Sequence, residues 1–378
     1  MNSLFFYGTL RHVPLLSVVL GRDAEALDVV DAVLVDHEVF AVKNEVFPMI
    51  AAGGNGAKGI LVFGLSDLDV ERLRFYEGGF DYDLEPVQVQ ANGKTHDTRV
   101  FFPEPGLWER DGTWSLAGWV EAQGNWSVFG AIEEMSYFGS RSREVVDAML
   151  PMIEARATAK VNARVNNLAH SPGGLDARDV TDVSMTRPYA NYFTLEEYDL
   201  TFRRYDGRES EMVRRAVFVA TDAVIVLPYD PVRDRVLLIE QFRPGPYARG
   251  DEKPWQLEPI AGRIDRNESA LITAHREARE EAGLELSALE DVAHCYASPG
   301  CSTEYYNIYV GIADLPDGVV GVSGLEEEAE DIRSFLFRFE DLMDMVDRGQ
   351  IVNAPLVLAA LWLARHRNRL QEQVRGAT

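Results

Sequence analysis

Residues 262–284 read GRIDRNESALITAHREAREEAGL, and no other stretch of the 378-residue chain restricts its fold and chemistry as tightly. The spacing is G-x5-E-x7-R-E-A-x-E-E-x-G-L. If a loop here leads into a helix, Glu277 and Glu281 stand at i and i+4 and project from one face, with Glu280 beside them. Three carboxylates that close repel one another, and the helix alone offers nothing to offset the repulsion. A hard cation does, and an oxygen-only cluster suits Mg²⁺ or Mn²⁺. Arg276 is placed to lock one carboxylate by a bidentate contact. Gly283 supplies the permissive backbone at which a helix ends. Charge runs are most often solvated helix faces, but glycine, arginine and glutamate at this spacing are hard to obtain by chance.

The stretch matches the Nudix box at every defined position, and the carboxy-terminal half resembles a Nudix hydrolase. That resemblance implies an α/β/α sandwich and metal-assisted cleavage of a nucleoside diphosphate linked to a further group. The tracts LPYDPVRDRVLLIEQFR, LEPIAG, ASPGCSTE and LEEEAEDI resemble the ADP-ribose diphosphatases within that group. Pro299 stands sixteen residues beyond Gly283, the offset associated with that subgroup. Over about residues 185–372 the resemblance implies hydrolysis of ADP-ribose to AMP and ribose 5-phosphate. It also implies that Glu277, Glu280 and the catalytic Glu281 hold Mg²⁺ or Mn²⁺, with the Ala261 carbonyl as a neutral ligand. Glu328 is the implied base for the attacking water and Glu330 a further metal ligand; a slip of two residues exchanges these roles. Arg243 and Arg215 match basic positions that contact the diphosphate or terminal ribose, and Tyr192 an aromatic that stacks on adenine. By residue type alone, an ordinary ion pair is the commoner role for either arginine, and a place in the core suits Tyr192 equally well. Because relatives borrow adenine-site residues from a second subunit, a homodimer is expected. This sequence departs from the usual single-domain pattern in carrying about 180 preceding residues, and in having CST at 301–303 in place of a more glycine-rich loop.

The amino-terminal third reads differently. Residues 3–7, SLFFY, form an apolar run expected as a buried strand ending at Gly8. Gly8-Thr9-Leu10 is then a tight loop suited to holding an anion on its amides. A turn at 51–56 and a strand at 59–65 follow. Residues 66–77, SDLDVERLRFYE, suit a helix with Ser66 and Asp69 spaced as a capping box. Val70, Leu73 and Glu77 then share one stripe. A carboxylate ending an apolar stripe either swings out to solvent, the commoner outcome, or is desolvated into a proton shuttle of raised pKa. FFYGTL and LRFYEGGFDY resemble the gamma-glutamylcyclotransferase-like (AIG2-like) family over roughly residues 1–105. The resemblance implies a small mixed β-barrel, with Tyr7, Gly8, Thr9 and Leu10 lining a substrate loop and Glu77 as the acid/base residue. Members of that fold differ in whether they catalyse anything. Two alternatives therefore stand for this region: a cyclotransferase, or a non-catalytic binding or dimer-supporting module.

Four of the six tryptophans fall between Trp108 and Trp126 and are expected to pack an extension against the first domain. Residues 140–168 suit a helix bent at Pro151, and HSPGGLDARD at 170–179 is a linker. The expected layout is an α/β two-domain chain: a barrel domain at 1–110, helical extension and linker at 111–180, and Nudix domain at 181–378. In the last, strands are expected within 192–220, a hairpin at 223–228 and 235–240, strands near 255–262, 291–296 and 305–312, and helices near 339–348 and 354–370.

Charge bounds the partners. With 37 basic and 61 acidic residues the formal charge is −24, which excludes duplex nucleic acid as a partner, since phosphate binding needs basic surface. A small nucleoside diphosphate sugar must instead be met by local cations or metal. Cys295 and Cys301 are too few for a disulfide framework or a structural zinc site. No apolar run of membrane-spanning length and no signal-peptide core occur in the sequence, so no membrane contact and a cytoplasmic setting are expected.

Overall fold

The structure, a computed structural model, describes residues 2–78, 82–104, 106–165, 172–324 and 331–377. The chain divides into two compact units, Met1–Asn167 and Leu168–Thr378.

The first unit runs β1 (Asn2–Phe6), α1 (Val13–Leu20), β2 (Asp28–Leu34), β3 (His37–Val42), β4 (Pro48–Ala52), β5 (Ala57–Leu65) and α2 (Asp67–Glu77). It continues with β6 (Tyr82–Ala91), β7 (Lys94–Pro103), β8 (Arg110–Thr113), α3 (Leu116–Trp119), α4 (Asn125–Met135), α5 (Arg143–Asp147) and α6 (Leu150–Val165). Strands β1-β5-β2-β6-β7 close into a mixed barrel, parallel only where β1 meets β7. Period-two alternation explains the closure. Phe5, Leu61, Leu34, Val89 and Val100 point into the barrel core. Leu4, Phe6, Ile60 and Val62 point outward into a second core with Leu15, Val19, Val70, Leu73 and Ala131 from α1, α2 and α4. Gly59 lets β1 approach β5, because a Cβ there would stand 2.3 Å from the Phe6 carbonyl oxygen.

Helix α2 starts as expected: Ser66 Oγ accepts from the Asp69 amide at 3.1 Å, and Asp69 Oδ2 accepts from the Ser66 amide at 2.8 Å. Trp114 and Trp119 pack on the outer core, and Trp126 Nε1 donates to Thr158 at 3.2 Å. Pro151 corrects one expectation. Rather than bending a helix, it sits second in α6, where its missing N–H has no intrahelical partner to lose.

The second unit runs β9 (Val180–Ala190), β10 (Thr194–Phe202), β11 (Val213–Val219), β12 (Asp222–Asp230), β13 (Arg235–Phe242), α7 (Pro244–Arg249), β14 (Trp255–Glu258) and β15 (Ile260–Arg263). Then come α8 (Ala270–Ala282), β16 (Leu286–Tyr296), β17 (Tyr305–Ala313), β18 (Val322–Ser323), β19 (Ile332–Arg338), α9 (Phe339–Asp347) and α10 (Ala354–Ala377). β9 to β11 form a sheet of their own, and the rest build an eight-stranded sheet in the order β16-β17-β12-β13-β19-β18, with β14 beside β13 and β15 beside β12. The expected hairpin is short: β12 pairs β13 only at Tyr229↔Val236 and Asp230↔Arg235, then runs parallel to β17 and antiparallel to β15.

Helices cover both faces of the large sheet, so its central strands are apolar throughout. Val224, Val226, Leu237 and Ile239 face α8, whose Ala274, Ala278 and Ala282 repeat every four residues. Ile225, Leu227, Val236 and Leu238 face Leu342, Leu356, Ala360 and Leu363 of α9 and α10. The alanine stripe lets α8 lie close to the sheet, which fixes where its neighbouring glutamates stand.

Candidate active site

The loop from β15 into α8 and the last two turns of that helix hold the acidic cluster together. Ser269 caps α8, accepting from the Ile272 amide at 3.3 Å. Gly283 ends it in the left-handed conformation, φ +60°. Glu277 and Glu281 lie one position before Ala278 and Ala282, so the spacing that buries the alanines brings these carboxylates to the edge of the core, at 9% and 2% exposure. Glu281 Oε2 accepts from the Ala261 amide at 3.0 Å, tying the helix to β15.

Arg276 does more than lock one carboxylate. Its fork grips Glu268, Nε to Oε1 at 2.9 Å and Nη2 to Oε2 at 3.0 Å. Its Nη1 donates to Glu277 Oε1 at 2.7 Å and Glu280 Oε2 at 2.9 Å, and its Nη2 to the Arg263 carbonyl at 3.1 Å. Burial opposes the charge of this guanidinium, but the bonds to Glu268 and Glu280 and the charge of Glu277 outweigh it and raise the Arg276 pKa. The bond from Arg276 holds Glu268 below the usual carboxylate range. Helix residues do therefore supply an offset to their own repulsion, which the spacing alone had not indicated.

Arg243, at the end of β13, pairs with the buried Glu258, Nε to Oε1 at 2.8 Å. Asn353 Nδ2 also reaches Glu258, at 3.3 Å. Nearby, Tyr306 donates to Glu304 at 3.2 Å. Burial raises both the Glu258 and Glu304 carboxyls, and Arg243 pulls both back down. Arg215 and Tyr192 belong to the three-stranded sheet instead: Arg215 is exposed opposite Tyr198, and Tyr192 sits in the β9–β10 turn with its ring 4.8 Å from Phe193. That sheet is tied to the 297–304 loop where the Phe218 amide donates to the Cys301 carbonyl at 2.8 Å and Thr303 Oγ1 to the Ala220 carbonyl at 2.9 Å. Glu328 and Glu330 lie outside the described residues.

In the first unit, Tyr7 is buried in the barrel core, and Thr9–Arg11 form one turn of 3-10 helix. Gly8 passes close to Pro48, 3.2 Å from where its Cβ would lie. Leu10 buries its side chain in the outer core, which leaves only its backbone for a ligand. Glu77, the last residue of α2, is partly buried. Burial and the Glu134 carboxylate push its pKa up to about 7, against the pull of Arg143.

Residues 219–359 match the family model described as NUDIX domain, and residues 4–127 match Gamma-glutamyl cyclotransferase, AIG2-like. The ADP-ribose pyrophosphatase of Escherichia coli (strain K12) is 40% identical over 195 residues, covering 52% of this chain and 92% of that protein. The chain belongs to the Nudix hydrolase family. The ADP-ribose pyrophosphatase of Haemophilus influenzae is 32% identical over 186 residues, 49% of this chain and 85% of its own length. The GDP-mannose pyrophosphatase of Escherichia coli O1:K1 / APEC is 33% identical over 177 residues, 46% and 88%. The carboxy-terminal unit is thus a Nudix hydrolase of nucleoside diphosphate derivatives, a class that generally works with divalent metal ions. Ahead of it lies an AIG2-like domain.

The Nudix residues suit a hard cation by donor type. Glu268, Glu277, Glu280 and Glu281 offer only oxygen. One guanidinium shared by Glu268, Glu277 and Glu280 leaves that set two negative charges in excess, before Glu281 is added. Among the described residues no three acidic, His or Cys side chains converge on a single ion position; Arg276 is bonded to both Glu277 and Glu280. Two functional neighbours had no role assigned from sequence. Glu268 was a defined position of the box, and its place as the bidentate anchor of Arg276 became readable only with the loop folded back. Glu258 stood in LEPIAG, where nothing marked it as the partner of Arg243. No described helix is long and apolar enough to cross a membrane.

Proposed function

We propose that the Nudix unit hydrolyses ADP-ribose to AMP and ribose 5-phosphate with Mg²⁺, or Mn²⁺ in its place, in the cytoplasm. The observation that carries this reading is the pair of buried carboxylates Glu277 and Glu281 fixed beside the Ala261–Gly262 backbone. The 40% identical relative named for ADP-ribose supplies the substrate. Glu277, Glu280, Glu281 and the Ala261 carbonyl are the proposed metal ligands, with Glu330 a further one. Bound divalent metal neutralises diphosphate charge and lowers the pKa of water. Arg243, oriented by Glu258, steadies the diphosphate, a task suited to a guanidinium fork. Glu328 takes the proton of the attacking water, and the P–O bond of the bridge breaks in line with the attack.

Arg215 and Tyr192 are proposed to meet ribose and adenine across a homodimer. In support, β9 to β11 and their turns expose Val183, Met185, Tyr189, Tyr192, Met212 and Phe218, an apolar surface of the kind that a second copy covers. Purified protein is expected to run at twice the 42.3 kDa chain mass by light scattering. It should release AMP from ADP-ribose with Mg²⁺, lose that activity in excess chelator, and regain it on metal return. Absence of AMP with every divalent ion rejects the hydrolase reading; an active species of single-chain mass rejects the dimer.

A second reading is favoured by Glu77. A carboxyl with a pKa of about 7 both accepts and returns a proton near neutrality. In a gamma-glutamyl amine the α-amine attacks its own γ-carbonyl, the bond to the leaving amine breaks, and 5-oxoproline forms. Glu77 would take the proton from the attacking nitrogen and return it to the leaving one. Release of 5-oxoproline from gamma-glutamyl dipeptides is expected to rise with pH through about 7, as Glu77 ionises. It should vanish in Glu77→Gln; equal release by that variant excludes the assignment.

A further inference from the structure

Residues beyond the stretch matched by the AIG2-like model build the surroundings of Glu77. Arg143, first residue of α5, donates Nη1 to the carbonyls of Phe75 at 2.8 Å and Tyr76 at 3.5 Å, in the last turn of α2. The same nitrogen bonds Glu134 of α4, and Nε donates to Asp147 at 2.7 Å. The guanidinium also lies 5.8 Å from the centre of the Phe75 ring. Arg143 and Glu134 side chains are only 15% and 10% exposed. A fork fixed on α2, α4 and α5 at once has little freedom to drift, and it holds the carbonyl end of α2 on which Glu77 rides. Both charges act on Glu77 with opposite sign.

We propose that Arg143 and Glu134 are the positioning pair of the Glu77 carboxylate, anchoring the end of α2 and setting one positive against one negative charge beside it. This rests on the reading of the first unit as an acid–base site. Without Glu134, burial still raises the Glu77 carboxyl but the guanidinium is no longer opposed by a second anion, so Glu77 holds its proton less firmly and is a weaker acid-side partner for a leaving amine near neutrality. Without Arg143, the Glu134 charge acts on Glu77 with no cation to oppose it, and Glu77 keeps its proton to higher pH. The remaining charges around the pair act on Glu134: Asp147 of α5 and Glu154 of α6 both raise its pKa, and burial raises it more than Arg143 lowers it. Arg74, on α2 itself, is exposed.

The test is a carboxyl carbon-13 NMR titration of the full-length protein, with the Glu77 signal assigned by its loss in Glu77→Gln. Glu134→Gln is expected to lower the Glu77 midpoint by about one pH unit, and Arg143→Met to raise it by about as much. Arg143→Lys, which keeps the charge, should fall back toward the parent value. Opposite displacements are something general loosening of the fold does not produce. If Arg143→Met does not fold, the Glu134→Gln and Arg143→Lys titrations decide alone. One midpoint shared by all variants overturns the proposal. Measuring 5-oxoproline on the same samples separates the two readings. Displaced midpoints without any 5-oxoproline from the parent protein would sink the cyclotransferase and leave the pair. Release that depends on Glu77 with unmoved midpoints would do the reverse.

Discussion

Glu281→Gln is expected to cut AMP release about a thousandfold, roughly 4 kcal/mol of transition-state stabilisation, while leaving the chain at least as stable. The two halves of that expectation have separate causes. Glu281 is 2% exposed and receives the Ala261 amide at 3.0 Å. A glutamine carbonyl can accept the same bond in the same volume, so packing and the β15 contact survive. What disappears is one negative charge, placed one helical turn from Glu277. In metal-free protein that removes like-charge repulsion, and the thermal midpoint should hold or rise. With metal and substrate present, the same change is expected to remove one charged member of the proposed ligand set where the dianionic bridge most needs neutralising. Retention of more than a tenth of the parental kcat would remove Glu281 from the proposed centre. A large drop in the midpoint measured in chelator would show that the residue acts through the fold instead.

Local pattern carried much of this architecture, and its failures share a cause. Ser66 and Asp69 could be read as a cap because both partners of the motif lie within one turn. Glu277 and Glu281 could be placed together because helical spacing alone decides it. By contrast, the hairpin expected from β12 and β13 meets over two pairs, because β12 is claimed along its length by β15 and β17, whose partners stand about 35–40 and about 80 residues away. Competition between distant strands leaves no mark in a run of Val, Ile and Leu that is buried on both faces. The same holds for side chains. Arg276 was visible as a residue that locks a carboxylate, but its bidentate partner, Glu268, is reached only when the loop curls back. Arg143 and Glu134 stand about 60 residues beyond Glu77 in sequence and come to the end of α2 that carries it through helix packing, with Arg143 on the Phe75 carbonyl and on Glu134, which no short motif encodes. Pro151 was misplaced for a smaller reason: proline is equally at home bending a helix and beginning one, and the chain before it offered no cap to decide between them.

Gly262→Ala is expected to lower kcat about a hundredfold and to destabilise the chain by about 1–3 kcal/mol, though it adds a single methyl group. A Cβ built on Gly262 would stand 1.8 Å from Glu277 Oε1, 1.9 Å from its Cδ and 2.4 Å from its Cγ. The glutamate crosses directly over this backbone, so the methyl and the carboxylate cannot occupy their places together. Backbone movement is resisted by the pairing of Val224 with Gly262 between β12 and β15, so it is Glu277 that must leave. Its departure also removes one anion from Arg276, whose bond to Glu277 Oε1 is 2.7 Å. Gly283→Ala supplies the contrast. That position has φ +60° and nothing within 4 Å of an added Cβ, so its cost is backbone strain of about 1 kcal/mol, with kcat close to the parent. The mechanism is read from a double-mutant cycle. In a Glu277→Ala background the stability cost of Gly262→Ala should largely vanish, since the colliding carboxylate is gone. An undiminished cost there would place the strain in the backbone of β15, and parental kcat in Gly262→Ala would mean that Glu277 can act from another position.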